Sequence, residues 1–409
     1  MKQFDIPLFY RSKYITKIKE ARKSSDPRTK DFTPALLDFG PVRFLIPRHF
    51  GFCYGVENAI EISYNIIEQN PDKRIFLLSE MIHNPGVNEE LLSRGVRFLM
   101  DTSGNHLIDW NELTKEDIVI IPAFGTTIEI HDKLNELGIE AYKYNTTCPF
   151  VEKVWNRSSQ LGENNYTVIV HGKYYHEETR ATFSHSAKNA PVIIVRNLEE
   201  AKLLAGIILG ERDEKEFYTL FKGKYSDGFD ASKDLSRIGV VNQTTMLAVE
   251  TQAIADYLKS VMLKKFGDQE LKNHFADTRD TLCYATNDNQ EATYGLLKVN
   301  ADFALVIGGY NSSNTGHIVE LCEGKFKTFF ISSADKIFSS KAISHFDIHT
   351  QKEMVTENYI PDRNPVNIII TSGASCPDAV VEQIIHKILS YFIYTKNIDE
   401  VVEEFLSNQ

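Results

Sequence analysis

Short apolar runs alternate with amphipathic stretches along the chain from residue 42 onward. The stretches between the runs place apolar residues at helical spacing, as in Val56, Ala59, Ile60 and Ile67. Continuous apolar runs separated by helical segments are typical of parallel strands in α/β units. We therefore predict an α/β fold with mostly parallel sheets. The predicted strands are residues 42–46, 75–78, 118–121, 166–170, 192–195, 238–241, 303–307, 326–331 and 366–370.

Composition and charge narrow the class of protein. The chain has 409 residues, enough for several domains, and its 42% hydrophobic and 25% charged residues are ordinary for a globular protein. A net charge of −11 argues against a nucleic-acid-binding protein. No apolar run approaches the ~20 residues that span a bilayer. Five widely spaced cysteines and the lack of an apolar signal core near the start favour a cytoplasmic protein.

Three of the five cysteines stand in similar turns just before a predicted helix. The segments GFCYGVENAI, TTCPFVEKVW and TLCYATNDNQ contain Cys53, Cys148 and Cys283. Free backbone N–H groups and the helix dipole favour a thiolate at such a position. The residues alone leave several interpretations open: small buried thiols, metal ligands, or three ligands of an iron–sulfur cluster. There is no Cys-x-x-Cys pair, and zinc would usually need four close protein ligands.

The three cysteine turns indicate a divergent internal repeat, and the simplest architecture is three α/β domains that each offer one cysteine to a shared centre. The charged stretch 211–236 contains no apolar run, so we predict a surface insertion there. The polar residues 1–41 are predicted to form a helix and loop on the surface. The predicted division is an extension at 1–41, domains at 42–147, 148–281 and 282–395, and a tail at 396–409.

Histidines and carboxylates follow two of the predicted strands. His83 lies in EMIHNPG after residues 75–78, and His171, His176, Glu177 and Glu178 lie in HGKYYHEET after residues 166–170. The carboxyl ends of parallel strands are where α/β folds gather ligands. A surface or capping role is the alternative for each histidine.

Hydroxyl and amide clusters follow three further strands. They are NQTT at 242–245, NSSN at 311–314 and TSGAS at 371–375. Small polar residues at a strand end let N–H groups and hydroxyls converge on an anion such as phosphate, although each cluster could equally be a helix N-cap. Several such ends without a Gly-x-x-x-x-Gly-Lys loop predict a diphosphate held by side chains rather than a nucleotide.

A series of ordered motifs over residues 42–393 resembles the 4-hydroxy-3-methylbut-2-enyl diphosphate reductase family, also called IspH/LytB. The motifs are GFCYGV, EMIHNPGV, TTCPFVEKV, HGKYYHEET, NQTTM, CYATNDNQEA, GGYNSSNT and TSGASCPD. PAFGTT, HGKYYHEET, NQTTM and the 211–236 stretch look most like the longer plant and cyanobacterial branch.

The resemblance implies a pseudo-threefold trefoil of three α/β domains around a central 4Fe–4S cluster, one per chain. Cys53, Cys148 and Cys283 match its three ligands, which leaves the fourth iron open for the substrate hydroxyl. Cys322 and Cys376 match no ligand and are expected to be ordinary core or loop thiols.

The resemblance also implies an oxidoreductase that converts (E)-4-hydroxy-3-methylbut-2-enyl diphosphate to isopentenyl and dimethylallyl diphosphate, the last step of the methylerythritol phosphate pathway of isoprenoid synthesis. Two electrons would arrive singly from ferredoxin or flavodoxin. A monomer or homodimer with no nucleic-acid or membrane partner is expected.

By the same resemblance, Glu178 feeds a proton relay, Thr244 orders it, and His176 lies near the substrate phosphate and can relay protons. A carboxylic acid is chemically suited to protonate a leaving hydroxide. Two positions depart from many bacterial members: Phe124 replaces a histidine and Glu177 replaces a proline, so neither receives a role. The expected substrate-binding set is His83, His176, Thr244, Ser312, Ser313, Asn314 and Ser375.

Two alternatives belong to other functional classes. An open iron on a three-cysteine cluster can also serve a hydro-lyase that removes water without net reduction. An iron–sulfur sensor or electron carrier would not need Glu178 or the hydroxyl clusters at all.

Overall fold

The computed structural model describes residues 4–277 and 281–408. Within them, the strands are β1 Ala35–Asp38, β2 Val42–Ile46, β3 Ile75–Leu77, β4 Arg97–Phe98, β5 Ile118–Ile120, β6 Thr167–His171, β7 Val192–Val195, β8 Ile238–Asn242, β9 Phe275–Ala276, β10 Phe303–Ile307, β11 Thr328–Ile331, β12 Ala342–Asp347, β13 Lys352–Glu357 and β14 Val366–Ser372.

The α-helices alternate with these strands. They are α1 Lys13–Ser25, α2 Tyr54–Gln69, α3 Pro85–Ser93, α4 Ile128–Glu136, α5 Pro149–Glu163, α6 Glu177–Ala187, α7 Leu198–Ile208, α8 Glu214–Leu220, α9 Ala231–Asp234, α10 Ala248–Phe266, α11 Leu271–His274, α12 Tyr284–Leu296, α13 Ser313–Glu323, α14 Asp378–Leu389 and α15 Ile398–Ser407. Short 3₁₀ turns occur at Leu8–Tyr10, Trp110–Glu112, Ala141–Tyr144 and Ala334–Lys336. No helix of the described residues combines the length and apolarity that crossing a bilayer requires.

The strands form three sheets that belong to two compact units. The first unit contains the described residues up to 57, residues 83–89 and those from 284 onward. Its sheet has seven strands in the order β1-β2-β14-β10-β11-β12-β13, in which β2, β14, β10 and β11 are mutually parallel. The second unit contains residues 58–82 and the described part of 90–283. It holds two parallel sheets, β4-β3-β5 and β7-β6-β8-β9. The predicted α/β class is confirmed.

Residues 4–41 contain the predicted helix, but they also add an unpredicted strand and several side chains to the first unit's core. Residues 35–38 form the edge strand β1, which pairs antiparallel with β2. Helix α1 buries Ile15 and Ile18 in the same core, which also takes in Phe405 from the predicted tail. The many lysines and arginines of this region hid the narrow apolar stripe that an amphipathic helix needs.

Strand β2 also departs from the predicted division of the chain. It was assigned to a domain of residues 42–147, but Val42 pairs with Val366 and Leu45 with Ile369, so β2 lies in the sheet of the C-terminal residues. Strand pairing over such a sequence distance cannot be read from the local apolar pattern, because that pattern specifies burial and not the neighbour.

The stretch 211–236 was predicted as a surface insertion; most of its residues are exposed, but its phenylalanine side chains were not expected to be buried. Helix α8 buries Phe217 completely, and Phe221 and Phe229 are nearly as buried. The rings of Phe217 and Phe229 stack at 4.9 Å, and all three belong to the core around β6–β8. In the sequence these aromatic residues are separated by charged ones, because only one face of each short helix packs against the core.

Candidate functional site

The second unit brings Glu178, Thr244 and two of the three cysteines to one edge of a parallel sheet. Strands β6 and β8 are paired in register, so that His171 lies opposite Asn242. The loops that follow both strands therefore leave from the same edge. Gln243 joins them, because its Oε1 accepts hydrogen bonds from the Lys173 N–H at 3.2 Å and the Thr179 hydroxyl at 3.0 Å.

Glu178 is a buried carboxylate in the first turn of α6. Its side chain is only 1% exposed, and it accepts a hydrogen bond from the Thr244 backbone N–H. His176 is the N-cap of this helix, and its Nδ1 accepts a hydrogen bond from the Glu178 N–H at 3.2 Å. Because Nδ1 accepts this bond, the ring of a neutral His176 carries its proton on Nε2.

Thr244 links Glu178 to Cys283 through its backbone. The Thr244 carbonyl accepts from the Cys283 N–H at 3.3 Å, while its own N–H donates to the Glu178 carboxylate. Cys283 is 9% exposed and directly precedes α12. One short segment after β8 thus sets the position of both a thiol and a carboxylate.

Cys148 is the N-cap of α5, with Pro149 as the first helical residue. Its N–H donates to the Ala123 carbonyl at 3.0 Å, and its carbonyl accepts from Val151. Burial, with smaller contributions from the nearby Cys283 and Glu178, raises the pKa of the Cys148 thiol to about 12, although hydrogen bonds from the Phe150 and Val151 backbone act in the opposite direction. The thiol therefore needs a cationic partner to ionise at neutral pH, as a metal-binding cysteine does.

The residues around His176 include two that sequence reasoning gave no role. The ring of Phe124 meets that of His176 edge to face at 5.8 Å, so Phe124 packs against a candidate site residue. Glu177 is buried and accepts from the Ser79 hydroxyl. It lines a cavity of about 360 Å³ together with Arg180, and Glu178 is not in that lining.

The first unit gathers the other five predicted substrate-binding residues, which are His83, Ser312, Ser313, Asn314 and Ser375, near the carboxyl edge of its seven-stranded sheet. Strands β10 and β14 pair so that Ile307 lies opposite Ser372, and the loops after them contain residues 308–312 and 373–377. Gly309 approaches His83 so closely that an added Cβ would lie 2.3 Å from the His83 carbonyl oxygen. The Ser375 hydroxyl donates to the same oxygen at 3.0 Å.

Ser312, Ser313 and Asn314 begin helix α13. The Ser312 hydroxyl caps the helix by accepting from the Thr315 N–H at 3.3 Å. Asn314 Oδ1 accepts from the Ala374 N–H at 2.9 Å and from Asn289 at 3.4 Å.

Two buried hydrogen-bond donors at the N-terminus of α13 have no acceptor in the described part of the chain. Among the described residues, Ser313 Oγ and Asn314 Nδ2 have no hydrogen-bond partner although both side chains are about 4% exposed. Unsatisfied buried donors cost free energy, so their presence at a helix N-terminus favours an anion there.

Cys53 lies at the same sheet edge in the first unit. Its N–H donates to the Ala374 carbonyl at 3.2 Å, and its carbonyl accepts from the Glu57 N–H at 3.0 Å in the first turn of α2. The thiol is half-buried. Gly51 provides the reversal before it, with φ of +79°.

The predicted site residues therefore fall into two sets, one in each unit. The other two cysteines, Cys322 and Cys376, are completely buried in the first unit's hydrophobic cores, where burial raises the pKa of each thiol to about 12. Over residues 4–277 and 281–408 no three His, Cys, Asp or Glu side chains lie together as the ligands of a single metal ion. The first set is Cys53, His83, Ser312, Ser313, Asn314 and Ser375; the second is Cys148, His176, Glu178, Thr244 and Cys283.

Two features lie at carboxyl edges of parallel sheets: a buried carboxylate near two thiols, and a helix N-terminus with buried donors. Together they define an α/β enzyme with separate proton-transfer and anion-binding residues. The chain belongs to the family described as LytB protein, whose model matches residues 45–389. This confirms the predicted family and the prediction of an oxidoreductase. The family is one of iron–sulfur enzymes.

Relatives of known name agree with this assignment. The chain is 42% identical over 352 residues to the 4-hydroxy-3-methylbut-2-enyl diphosphate reductase of Gloeothece citriformis, covering 86% of this chain and 85% of the relative. The same identity and coverage are found with the enzyme of that name from Thermosynechococcus vestitus. A solved structure of the E-1-hydroxy-2-methyl-but-2-enyl-4-diphosphate reductase from Plasmodium falciparum has the same fold. Its TM-score is 0.58 at 20% identity, over 82% of this chain and 85% of that one.

Proposed function

We propose that this chain reduces (E)-4-hydroxy-3-methylbut-2-enyl diphosphate to isopentenyl and dimethylallyl diphosphate, the last step of the methylerythritol phosphate route. Each turnover consumes two electrons and two protons, breaks the carbon–oxygen bond of the allylic alcohol and releases water. The observation that carries the proposal is the pair of sites at sheet edges: a buried carboxylate beside thiols, and buried donors suited to a diphosphate.

Cys53, Cys148 and Cys283 are the proposed ligands of one 4Fe–4S cluster, with one iron left without a cysteine. Each ends a loop directly before a helix, where N–H groups point toward a thiolate. The raised pKa of Cys148 fits a thiol that ionises only on binding a cation. Each thiolate of such a cluster binds a different iron, so the three need not meet at one ion. When bound, the cluster supplies single electrons and an iron that acts as a Lewis acid on the hydroxyl.

The diphosphate is proposed to bind at the N-terminus of α13. Ser313 Oγ and Asn314 Nδ2 are buried donors that a phosphate oxygen would satisfy. Ser312, Ser375 and His83 complete the proposed set, and the hydrogen bond from Ser375 to the His83 carbonyl fixes their spacing. Neutral donors bind a diphosphate without competing for iron, and the dipole of the 11-residue helix adds to the attraction.

Glu178 is the proposed proton donor to the leaving hydroxide. The Thr244 N–H fixes the orientation of its carboxylate, and the Thr244 hydroxyl is proposed to order the relay. His176 cannot donate through Nδ1, which already accepts the Glu178 N–H, so its Nε2 proton is the one it would pass on or offer to phosphate.

The electron donor is proposed to be a ferredoxin or flavodoxin that delivers electrons singly. The decisive assay is anaerobic turnover of the allylic diphosphate with and without a one-electron donor, with both products quantified. Turnover that needs the donor supports the reductase. Turnover without it would establish the hydro-lyase, and no turnover under either condition would leave a sensor or electron carrier and refute the proposal.

The ligand assignment has a separate test in the iron and sulfide content of cysteine variants. We expect Cys53→Ser, Cys148→Ser and Cys283→Ser each to lose the cluster. Cys322→Ser is the matched control, because burial raises the pKa of the Cys322 thiol to about 12, as for Cys148, but this thiol lies in a hydrophobic core. Loss of iron from the control, or its retention in any of the three, would contradict the assignment.

A further inference from the structure

Residues 4–26 contact the turn that contains Cys53 along its whole length. In the first unit, residue 26 contacts residue 48, residue 19 contacts residue 50, residue 10 contacts residue 52 and residue 4 contacts residue 54. The N-terminal residues therefore run antiparallel to the Cys53 turn, defined here as residues 48–54. They lie outside the part of the chain that the family model matches, which begins at residue 45.

Aromatic contacts hold both neighbours of Cys53. The ring of Phe4 meets that of Tyr54 edge to face at 4.8 Å, and the ring of Tyr10 meets that of Phe52 at 5.7 Å. Phe4 is 3% exposed and Tyr10 is 5% exposed, so both are buried although they lie near the start of the chain. Such pairs are favourable beyond the area they bury, and they fix the direction of the rings.

Polar contacts hold the first half of the turn. Lys19 Nζ donates to the Phe50 carbonyl at 2.8 Å and pairs with Asp378 at 2.6 Å. Arg48 donates to the Asp26 carbonyl at 2.7 Å. Asp378 begins helix α14, so Lys19 ties the turn to the helix that follows the Ser375 loop.

We propose that residues 4–26 are a positioning element that holds the Cys53 turn and so restrains the local opening that would expose the Cys53 thiol. The proposal rests on the proposed function for the role of Cys53 as a ligand. A ligand whose backbone is held before the metal group arrives loses less freedom on binding it. Phe4 and Tyr10 act through Tyr54 and Phe52, and neither is assigned a contact with substrate or cluster.

The test compares single variants of the full-length, cluster-free chain under anaerobic reducing conditions. The variants are Phe4→Ala and Tyr10→Ala, with Tyr10→Phe to restore the ring and Leu8→Ala as the matched control. Leu8 lies in the same segment but is 81% exposed. The two measurements are amide hydrogen exchange of residues 50–54 and the rate at which iodoacetamide alkylates Cys53, followed by mass spectrometry.

We expect exchange and alkylation to become about tenfold faster in Phe4→Ala and Tyr10→Ala, because local opening no longer breaks an aromatic contact. Tyr10→Phe and Leu8→Ala should stay at the original rates. Unchanged exchange of strand β10 in every variant shows that the first unit is still folded. Rates in the two alanine variants equal to that of Leu8→Ala would overturn the proposal.

Iron release to a chelator from the reconstituted protein links the turn to the cluster. Faster release in both alanine variants supports the positioning role, and release at the original rate would overturn it. A parent protein that binds no iron–sulfur cluster refutes the proposed function instead, while the exchange and alkylation rates still show whether residues 4–26 hold the turn.

Discussion

Replacing Glu178 by glutamine removes the acidic proton of the side chain while keeping its shape. Glutamine has nearly the same volume and keeps one acceptor oxygen for the Thr244 N–H, so the 1% exposed site neither empties nor loses that hydrogen bond. The change replaces one carboxyl oxygen by an amide oxygen as the acceptor from Thr244, so the cost in stability should be at most about 1 kcal/mol. What the variant cannot do is release a proton.

The expected loss follows from the role of a general acid. A positioned side-chain acid contributes about 10²–10⁴ in rate, so kcat should fall by about that factor. This corresponds to about 2.7–5.5 kcal/mol in the activation barrier. KM should change little, because the proposed diphosphate donors of α13 are untouched.

The assay is steady-state turnover under anaerobic conditions with a chemical one-electron donor. Glu177→Gln is the matched control, because its side chain is the neighbouring buried carboxylate and accepts from the Ser79 hydroxyl. Both variants should keep the iron content and absorption spectrum of the parent protein. A Glu178→Gln enzyme within about tenfold of the parent kcat, or a control that is equally impaired, would refute the assignment.

Three further predictions concern stability. Phe217→Ala should lower the free energy of unfolding by about 3–5 kcal/mol, measured by denaturant titration, because the ring is completely buried. A loss under about 1 kcal/mol would contradict its role in the core. Gly51→Ala should cost about 1–3 kcal/mol, seen as a lower Tm, since φ is +79° and the new Cβ would lie 2.3 Å from Asp378 Oδ1; an unchanged Tm would contradict this. Burial and then Arg48 lower the pKa of His49 from 6.5 to about 4, so the unfolded chain binds more protons in that range. Stability should therefore fall as pH drops from about 6.5 to about 4. Denaturant midpoints measured across this pH range should depend less on pH in His49→Gln than in the parent protein. An equal slope in the variant would count against the lowered pKa of His49.

All the strands predicted from apolar runs are present, with ends that differ by no more than two residues. Buried parallel strands are apolar on both faces, so their sequences identify them. Strands β1, β4, β9, β12 and β13 were missed. Most of β13 is exposed, and its backbone pairing with β12 requires no apolar pattern.

The candidate site was predictable by residue but not by contact. The motifs named Ser375 and His83, yet the bond between them depends on a chain path that local sequence does not specify. Asn289, which donates to Asn314, received no role although it lies in one of the motifs. Asn287, Asp288, Gln290 and Glu291 surround it in the sequence, so no local pattern marks Asn289 as a buried member of this polar stretch.

The pairing of β2 with β14 determines the order of events during synthesis. Val42 leaves the ribosome long before its partner Val366, and the Cys53 N–H waits for the Ala374 carbonyl in the same way. Contacts between such distant residues close late, because the intervening chain must first be ordered. The cysteine nearest the start of the chain is thus expected to complete its site last. Loading of metal at Cys53 is then an event that follows translation, and a truncated chain that lacks β14 would leave this thiol without its backbone anchor.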